Sequence, residues 1–318
     1  MLVKKAIGFS KLRYWMYGLS VAMIVVVWVG TFLEGGFNLG IDFKPGLSQT
    51  IQLTAGNPTI ESVRAALKGS EHNFTVQPVG APADHKFQIR AVASADEAKV
   101  QNLQEVISGK AKAALEAKFG AGSETVLESE FIGPSLSSEL VVQTTWIALS
   151  AILVILLYIW FRFKFAYALA AIIALIHDPI FILGLIGMIH MEVTTATIAV
   201  ILTIIGYSLN DTIVVFDRIR ENIRLHQGMN MYELIDLAIT QTLSRTLVSS
   251  LTVILAMAAV FVFTQGSIKD FAEALIIGVV VGTYSSIFIA APMMVGFSGG
   301  KAPKEKEPKA ISEDGVEA

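Results

Sequence analysis

Long apolar runs broken by short polar clusters dominate the chain. Six stretches are apolar over the length a bilayer-crossing helix needs, about 20 residues. They are 14–33, 141–161, 165–187, 194–216, 246–264 and 271–297. Between the first two lies a segment of a different kind. Residues 48–53 alternate polar and apolar positions, the period of a strand. Asn57-Pro58-Thr59-Ile60-Glu61 then opens a helix ending near Gly69, with Asn57 as the expected cap and Pro58 in the first turn. Further strands are expected at 74–79 and 87–92, separated by the turn-rich Gly80-Ala81-Pro82-Ala83-Asp84. A long helix over 96–119, with a break at Ser108-Gly109, and a last strand over 125–132 complete the order β-α-β-β-α-β. That is the order of a ferredoxin-like unit.

Four parts follow: 1–34 with the first span, a folded domain at 35–138, a five-helix bundle at 139–297, and a disordered tail at 298–318. The tail, Lys301-Ala302-Pro303-Lys304-Glu305-Lys306, mixes charges with proline. The first span resembles a signal peptide, because Lys4, Lys5, Lys11 and Arg13 precede it. It is too long for one and no small-x-small cleavage site follows, so a retained anchor is expected.

Composition agrees with a membrane protein. Of 318 residues, 53% are hydrophobic and 16% charged, against about 25% charged in soluble domains. A net charge of −3 gives no pull toward nucleic acid, and the absence of cysteine removes disulfides, thiolate metal sites and thiol catalysis together. No nucleophile–base pair or phosphate loop stands out, so no enzyme, metal or cofactor is expected. Orientation comes from the basic residues. With the N-terminus inside, Lys4, Lys5, Lys11, Arg13, Arg162, Lys164, Arg218, Arg220, Arg224, Arg245 and the tail lysines share one side, and the short opposite loops hold only Lys269. Both termini are then cytoplasmic and 35–138 is outside.

The chemistry lies in ionisable residues within apolar spans, where a charge costs on the order of 3 kcal/mol or more. The third span carries His177-Asp178-Pro179, the fourth Asn210-Asp211, and the fifth opens at Arg245-Thr246. Such groups mark proton or ion pathways when they face a bundle interior. The competing readings are an Asp211 near headgroups, a snorkelling Arg245, a static His177–Asp178 contact between helices, and a Pro179 that only kinks its helix. Gly278 and Gly282 have the small-xxx-small spacing that lets helices approach closely.

Four passages together resemble the SecF family of protein-export membrane proteins, within the RND superfamily. They are Gly40-Ile41-Asp42-Phe43 with Gly46 beyond it; Gly133-Pro134 with Glu139-Leu140; His177-Asp178; and Gly206-Tyr207-Ser208-Leu209-Asn210-Asp211 running on to Asp217-Arg218-Ile219-Arg220-Glu221-Asn222, followed by Gln241-Thr242-Leu243-Ser244-Arg245-Thr246. Pro45 and Ser137 depart from it, each standing where the family has glycine. The resemblance implies a six-span half of an RND-type bundle in the bacterial inner membrane. It also implies pairing with SecD, docking on the SecYEG channel, and use of the proton motive force to draw exported unfolded polypeptides outward. Asp211 and Arg245 match the family residues implicated in proton passage, with Asn210, His177 and Asp178 nearby in the pathway. Burial favours a neutral carboxyl and a neighbouring guanidinium favours a charged one, so a change in their separation would bind or release a proton. A small-molecule RND-type exporter and a passive scaffold are the alternatives.

Overall fold

The computed structural model describes residues 6–68, 74–93 and 102–300. Within them are six helices long and apolar enough to span a membrane. The first is α1 (Arg13–Leu33), entered through a short 3-10 turn, Phe9–Leu12. The next four are α4 (Pro134–Arg162), α5 (Phe165–Met188), α6 (Thr195–Leu225) and α7 (Met231–Phe263). The last is composite: α8 (Ser267–Ser285), a π-helical turn (Ser286–Ala290) and α9 (Ala291–Phe297).

These helices are not equivalent. In the most apolar window of each, the share buried within the chain is 56% for α5, 50% for α6 and 67% for the last span, but 0% for α4 and 11% for α7. The bundle therefore has a three-helix core, and the apolar surfaces of α4 and α7 face outward. The core is close-packed through small residues. A Cβ on Gly278 would fall 2.1 Å from Ile204 Cδ1, and one on Gly282 would fall 3.1 Å from Ser208 Cβ. The Gly278/Gly282 pair thus brings α8 against α6, as its spacing predicts. Pro179 lies inside α5, and without an N–H it leaves the Leu175 carbonyl free of a helical partner.

The segment between α1 and α4 forms a four-stranded antiparallel sheet covered by two helices. After a two-residue strand β1 (Asn38–Leu39) come β2 (Gly46–Leu53), α2 (Ile60–Leu67), β3 (Phe74–Pro78), β4 (Lys86–Val92), α3 (Leu103–Phe119) and β5 (Glu124–Ile132). The strand order is β3-β4-β2-β5. Ile51, Leu53, Val63, Leu67, Val76, Phe87, Ile89, Ala111 and Leu115 form one core between sheet and helices, as the alternation predicts.

Three local expectations change. Thr59, not Asn57, caps α2: its Oγ1 accepts from Ser62 N while Ser62 Oγ accepts from Thr59 N, a closed capping box. Asn57 sits earlier, in a left-handed turn with φ 46°. Second, α3 runs unbroken through Ser108 and Gly109; the expected start at 96–101, like the tail from 301, lies outside the described residues. Third, Arg245 does not open a helix. It lies in mid-helix, because α7 begins at Met231. The polar start of α7 is helical because its other face is apolar and buried, at Leu234, Ile235, Ala238 and Ile239.

Candidate functional site

The sheet domain is joined to the bundle through the passage around Gly40. Residues Asn38 and Leu39 pair in parallel with β6 (Glu192–Val193), the strand immediately before α6. Gly40 N donates to Val193 O at 2.9 Å. A Cβ there would lie 2.6 Å from Glu192 Oε1, so glycine lets the chain pass against that side chain. The backbone then turns, with Phe43 N donating to Gly40 O at 3.0 Å. This aims Asp42 at the start of α6, where its Oδ2 accepts from Thr195 N at 2.8 Å and Thr195 Oγ1 at 2.9 Å. A carboxylate at a helix N-terminus satisfies a free N–H and meets the positive end of the helix dipole. Gly46 has no room for a side chain either, since a Cβ would sit 2.5 Å from Ala91 O. Pro45 fits without its N–H, its carbonyl accepting from Ala93 N at 2.8 Å.

Two residues that the sequence reading did not single out complete this joint. Arg90, on β4, pairs with Glu192 at 3.2 Å, and both side chains are largely buried. Periodicity identifies the strand carrying Arg90, but only the fold brings it to Glu192.

At the other end of α6, the polar passage beyond the span is a clamp. Asp217 pairs with Arg162 at the end of α4 (3.6 Å) and with Arg220 (3.5 Å). Arg218 donates to Gln241 on α7 at 2.6 Å and pairs with Glu221. Asn222, fully buried, donates to the same Gln241 oxygen at 2.9 Å. The α1 entrance is fixed similarly: Asp236 of α7 accepts from Ser10 N at 2.7 Å and from Ser10 Oγ at 2.8 Å.

Between these ends lie the charges within the spans. Asp211 is buried on α6. The Asn210 side chain hydrogen-bonds it, and Arg245 of α7 is close enough to act on it electrostatically. Asn210 and Arg245 are exposed on the surface of the chain. This group therefore opens onto the outward face of α6 and α7, with only the carboxyl turned inward.

His177 and Asp178 form a separate centre in the core. Asp178 is fully buried; its Oδ1 meets His177 Nδ1 at 2.9 Å and its Oδ2 accepts from Ser285 Oγ of α8 at 2.9 Å. Ser285 Oγ lies 3.4 Å from Ser208 Oγ on α6. Ser208 precedes Asp211 by three residues, so the two share a helix face. The structure thus links the His177–Asp178 pair, through Ser285 of α8 and Ser208 of α6, to the face of α6 that carries Asp211. Among the described residues no cluster of three or more acidic or histidine side chains could hold a metal.

The family described as "Protein export membrane protein SecD/SecF, C-terminal" matches residues 111–299. The Protein translocase subunit SecF of Borreliella burgdorferi is 35% identical over 92% of this chain and 98% of its own length. The Protein translocase subunit SecDF of Brucella abortus is 34% identical over 95% of this chain but only 38% of its own. The crystal structure of SecDF from Thermus thermophilus superposes with a TM-score of 0.75 at 31% identity, covering 94% of this chain and 40% of that one. This chain therefore spans well under half of the SecDF proteins it matches and nearly all of the shorter SecF relative. Matched along almost its whole length by such relatives, and by the family profile over more than half of it, the chain belongs to the SecD/SecF family of protein export membrane proteins.

Proposed function

We propose that the chain is an accessory subunit of the Sec protein translocase, lodged in the bacterial inner membrane, that works with a SecD-type partner beside the SecYEG channel. The SecDF relatives, in which a match to this chain fills about two-fifths of the length, support SecD as that partner. The open face carrying Asn210 and Arg245 is where a second bundle half would cover the charges. In this reading the sheet unit is a ferredoxin-like domain on the outer side, both termini are cytoplasmic, and the cycle runs on the proton motive force rather than on bond-making catalysis. A cysteine in place of exposed Glu128 is then expected to react with an impermeant thiol reagent in intact spheroplasts.

The observation that carries the proposal is that Asp211 is on the helix whose first turn Asp42 caps and whose preceding strand pairs with the chain entering the outer domain. A proton bound or released at Asp211, with Arg245 as the moving counter-charge, would bias α6, and α6 is tied to the domain that meets the exported polypeptide. Magnitude limits what one proton can do. A charge crossing about 100 mV yields roughly 2.3 kcal/mol, about fifty-fold in an equilibrium. A swing from 1:99 to 99:1 needs about 5.5 kcal/mol.

The test is Asp211→Asn in vesicles reconstituted with channel and partner, at matched protein levels. Asn keeps the volume and a hydrogen-bonding head while removing the titratable proton. Gradient-driven export is expected to fall to the level without the subunit, and Arg245→Met to do the same. Wild-type export by Asp211→Asn would leave the scaffold reading in place.

A further inference from the structure

The His177–Asp178 centre holds a group that the reading above does not use. His177 is 8% exposed, its Nδ1 is engaged by Asp178, and its Nε2 is buried with no hydrogen-bond partner. A buried ring nitrogen left unpaired in a membrane core is costly, and a static helix-to-helix contact would not require it. Both oxygens of Asp178 are satisfied, one by His177 and one by Ser285. With the carboxylate charged and accepting, Nδ1 of a neutral ring carries the hydrogen and Nε2 presents its lone pair. Among the described residues, the titratable groups that meet the ring are Asp178 on its own helix and Tyr284 of α8, whose ring centroid is 6.4 Å away. Tyr284 is itself held from α1, by Ser20 Oγ at 2.9 Å and the Met16 carbonyl at 2.7 Å. From α6 comes Ser208, through Ser285.

A second observation is independent of the ring. The residue after Ser285 begins the π-helical turn Ser286–Ala290. Such turns insert a residue into an α-helix and occur often at functional sites. This one starts where α8 hands its hydroxyl to Asp178. Gly282, one turn earlier, lets the α8 backbone reach Ser208.

We infer that His177 Nε2 is a second proton-binding station of the cycle, with Ser285 and Ser208 as positioning residues that tie it to the Asp211 turn of α6. The inference rests on the proton-motor reading and addresses its shortfall, since one proton is too few to drive a decisive switch. The step is simple to balance. One proton adds to the Nε2 lone pair, only an N–H bond forms, and the pair passes from neutral imidazole with carboxylate (net −1) to imidazolium with carboxylate (net zero). Release is the reverse. The net-zero pair suits the closed core seen here, and the net −1 pair suits an arrangement in which α8 slides at its π turn and admits water to the ring.

The test reads the number of charges, not the amount of export. In vesicles holding channel, partner and this chain, export rate is measured against imposed membrane potential at fixed pH. The logarithmic slope is expected to fall by about half in His177→Gln and in Ser285→Ala, from about two coupled charges to about one. A residue that merely holds helices together would lower the rate by the same factor at every potential and leave the slope alone. Wild-type slope in both variants overturns the inference. Should His177→Gln not fold, nitrogen-15 spectra of histidine-labelled wild type, with five histidines to separate, decide the matter. An imidazolium signal at His177 that appears or disappears between about pH 5 and 8 supports the inference, and a ring fixed in one form throughout overturns it. Asp211→Asn is run beside them. If it keeps the wild-type slope, the motor reading itself has failed; if it abolishes the slope while the His177 and Ser285 variants keep it, only the second station has.

Discussion

The two ends of α6 and its middle treat their charged groups differently. At the joint with the sheet domain both carboxylates have a partner suited to them: Asp42 takes the Thr195 N–H and hydroxyl, and Glu192 takes Arg90. At the clamp at the other end, Asp217, Glu221 and Asn222 are held by Arg162, Arg218, Arg220 and Gln241. In the middle, where water is scarce and an unpaired group costs most, the Nε2 of His177 and the Oγ1 of Thr246 have no partner at all. Asp211 faces a cation that is itself exposed. The ends are not free of unpaired atoms, since Arg90 Nε and Asn222 Oδ1 also lack a partner. Their paired carboxylates nonetheless fix α6 to its neighbours, and the middle, where buried Asp211 faces an exposed cation, leaves it something to respond to.

Asp42→Ala tests the fixed side and is expected to have the larger effect. It removes two hydrogen bonds at the α6 N-terminus and a charge aligned with the helix dipole. Losing an N-terminal capping side chain costs about 1–2 kcal/mol. Thermal unfolding of the detergent-solubilised protein should show the loss, and Asp42→Asn, which keeps an accepting oxygen, should recover most of it. Equal stability in Asp42→Ala would mean that the joint is not what holds α6.

Much of this was legible in the sequence. The spans and strands follow from period and length, and the spacing of Gly278 and Gly282 marks a close helix approach, whose partner, α6, only the fold supplies. The polar start of α7 was less readable. Glu233, Asp236 and Arg245 depress its hydropathy, while the Ser10 partner that accommodates Asp236 is 226 residues away. Resemblance singled out Gly40 and Asp42 without giving them a job, because the job is done across the fold, at Glu192 and Thr195. Ser208 stood within a quoted motif, but Ser285 had no local signal. A serine in an apolar span looks the same whether it bonds its own helix or a carboxylate on another, and Ser285 does both.

The responsive side has a control outside the membrane. Glu124 opens β5 in the sheet domain, half-buried, and its Oε2 has no hydrogen-bond partner. Desolvation raises its pKa, with nearby Lys112 opposing and Glu116 adding to the shift. A carboxyl whose folded pKa is raised binds its proton more tightly in the folded state. The sheet domain is therefore free of the penalty below the unfolded value of about 4.3, and loses stability as pH rises through the raised folded value. Glu124→Gln removes the titration. Because solvent still reaches this side chain, the gain near neutral pH is expected to be small, and absent near pH 4. Circular dichroism of denaturant unfolding at the two pH values measures it. Gradient-driven export and its slope against potential should not change, because Glu124 touches neither α6 nor the His177 network. A loss of slope in Glu124→Gln would show that the sheet domain titrates as part of the cycle, and the contrast between fixed ends and a responsive middle would fail.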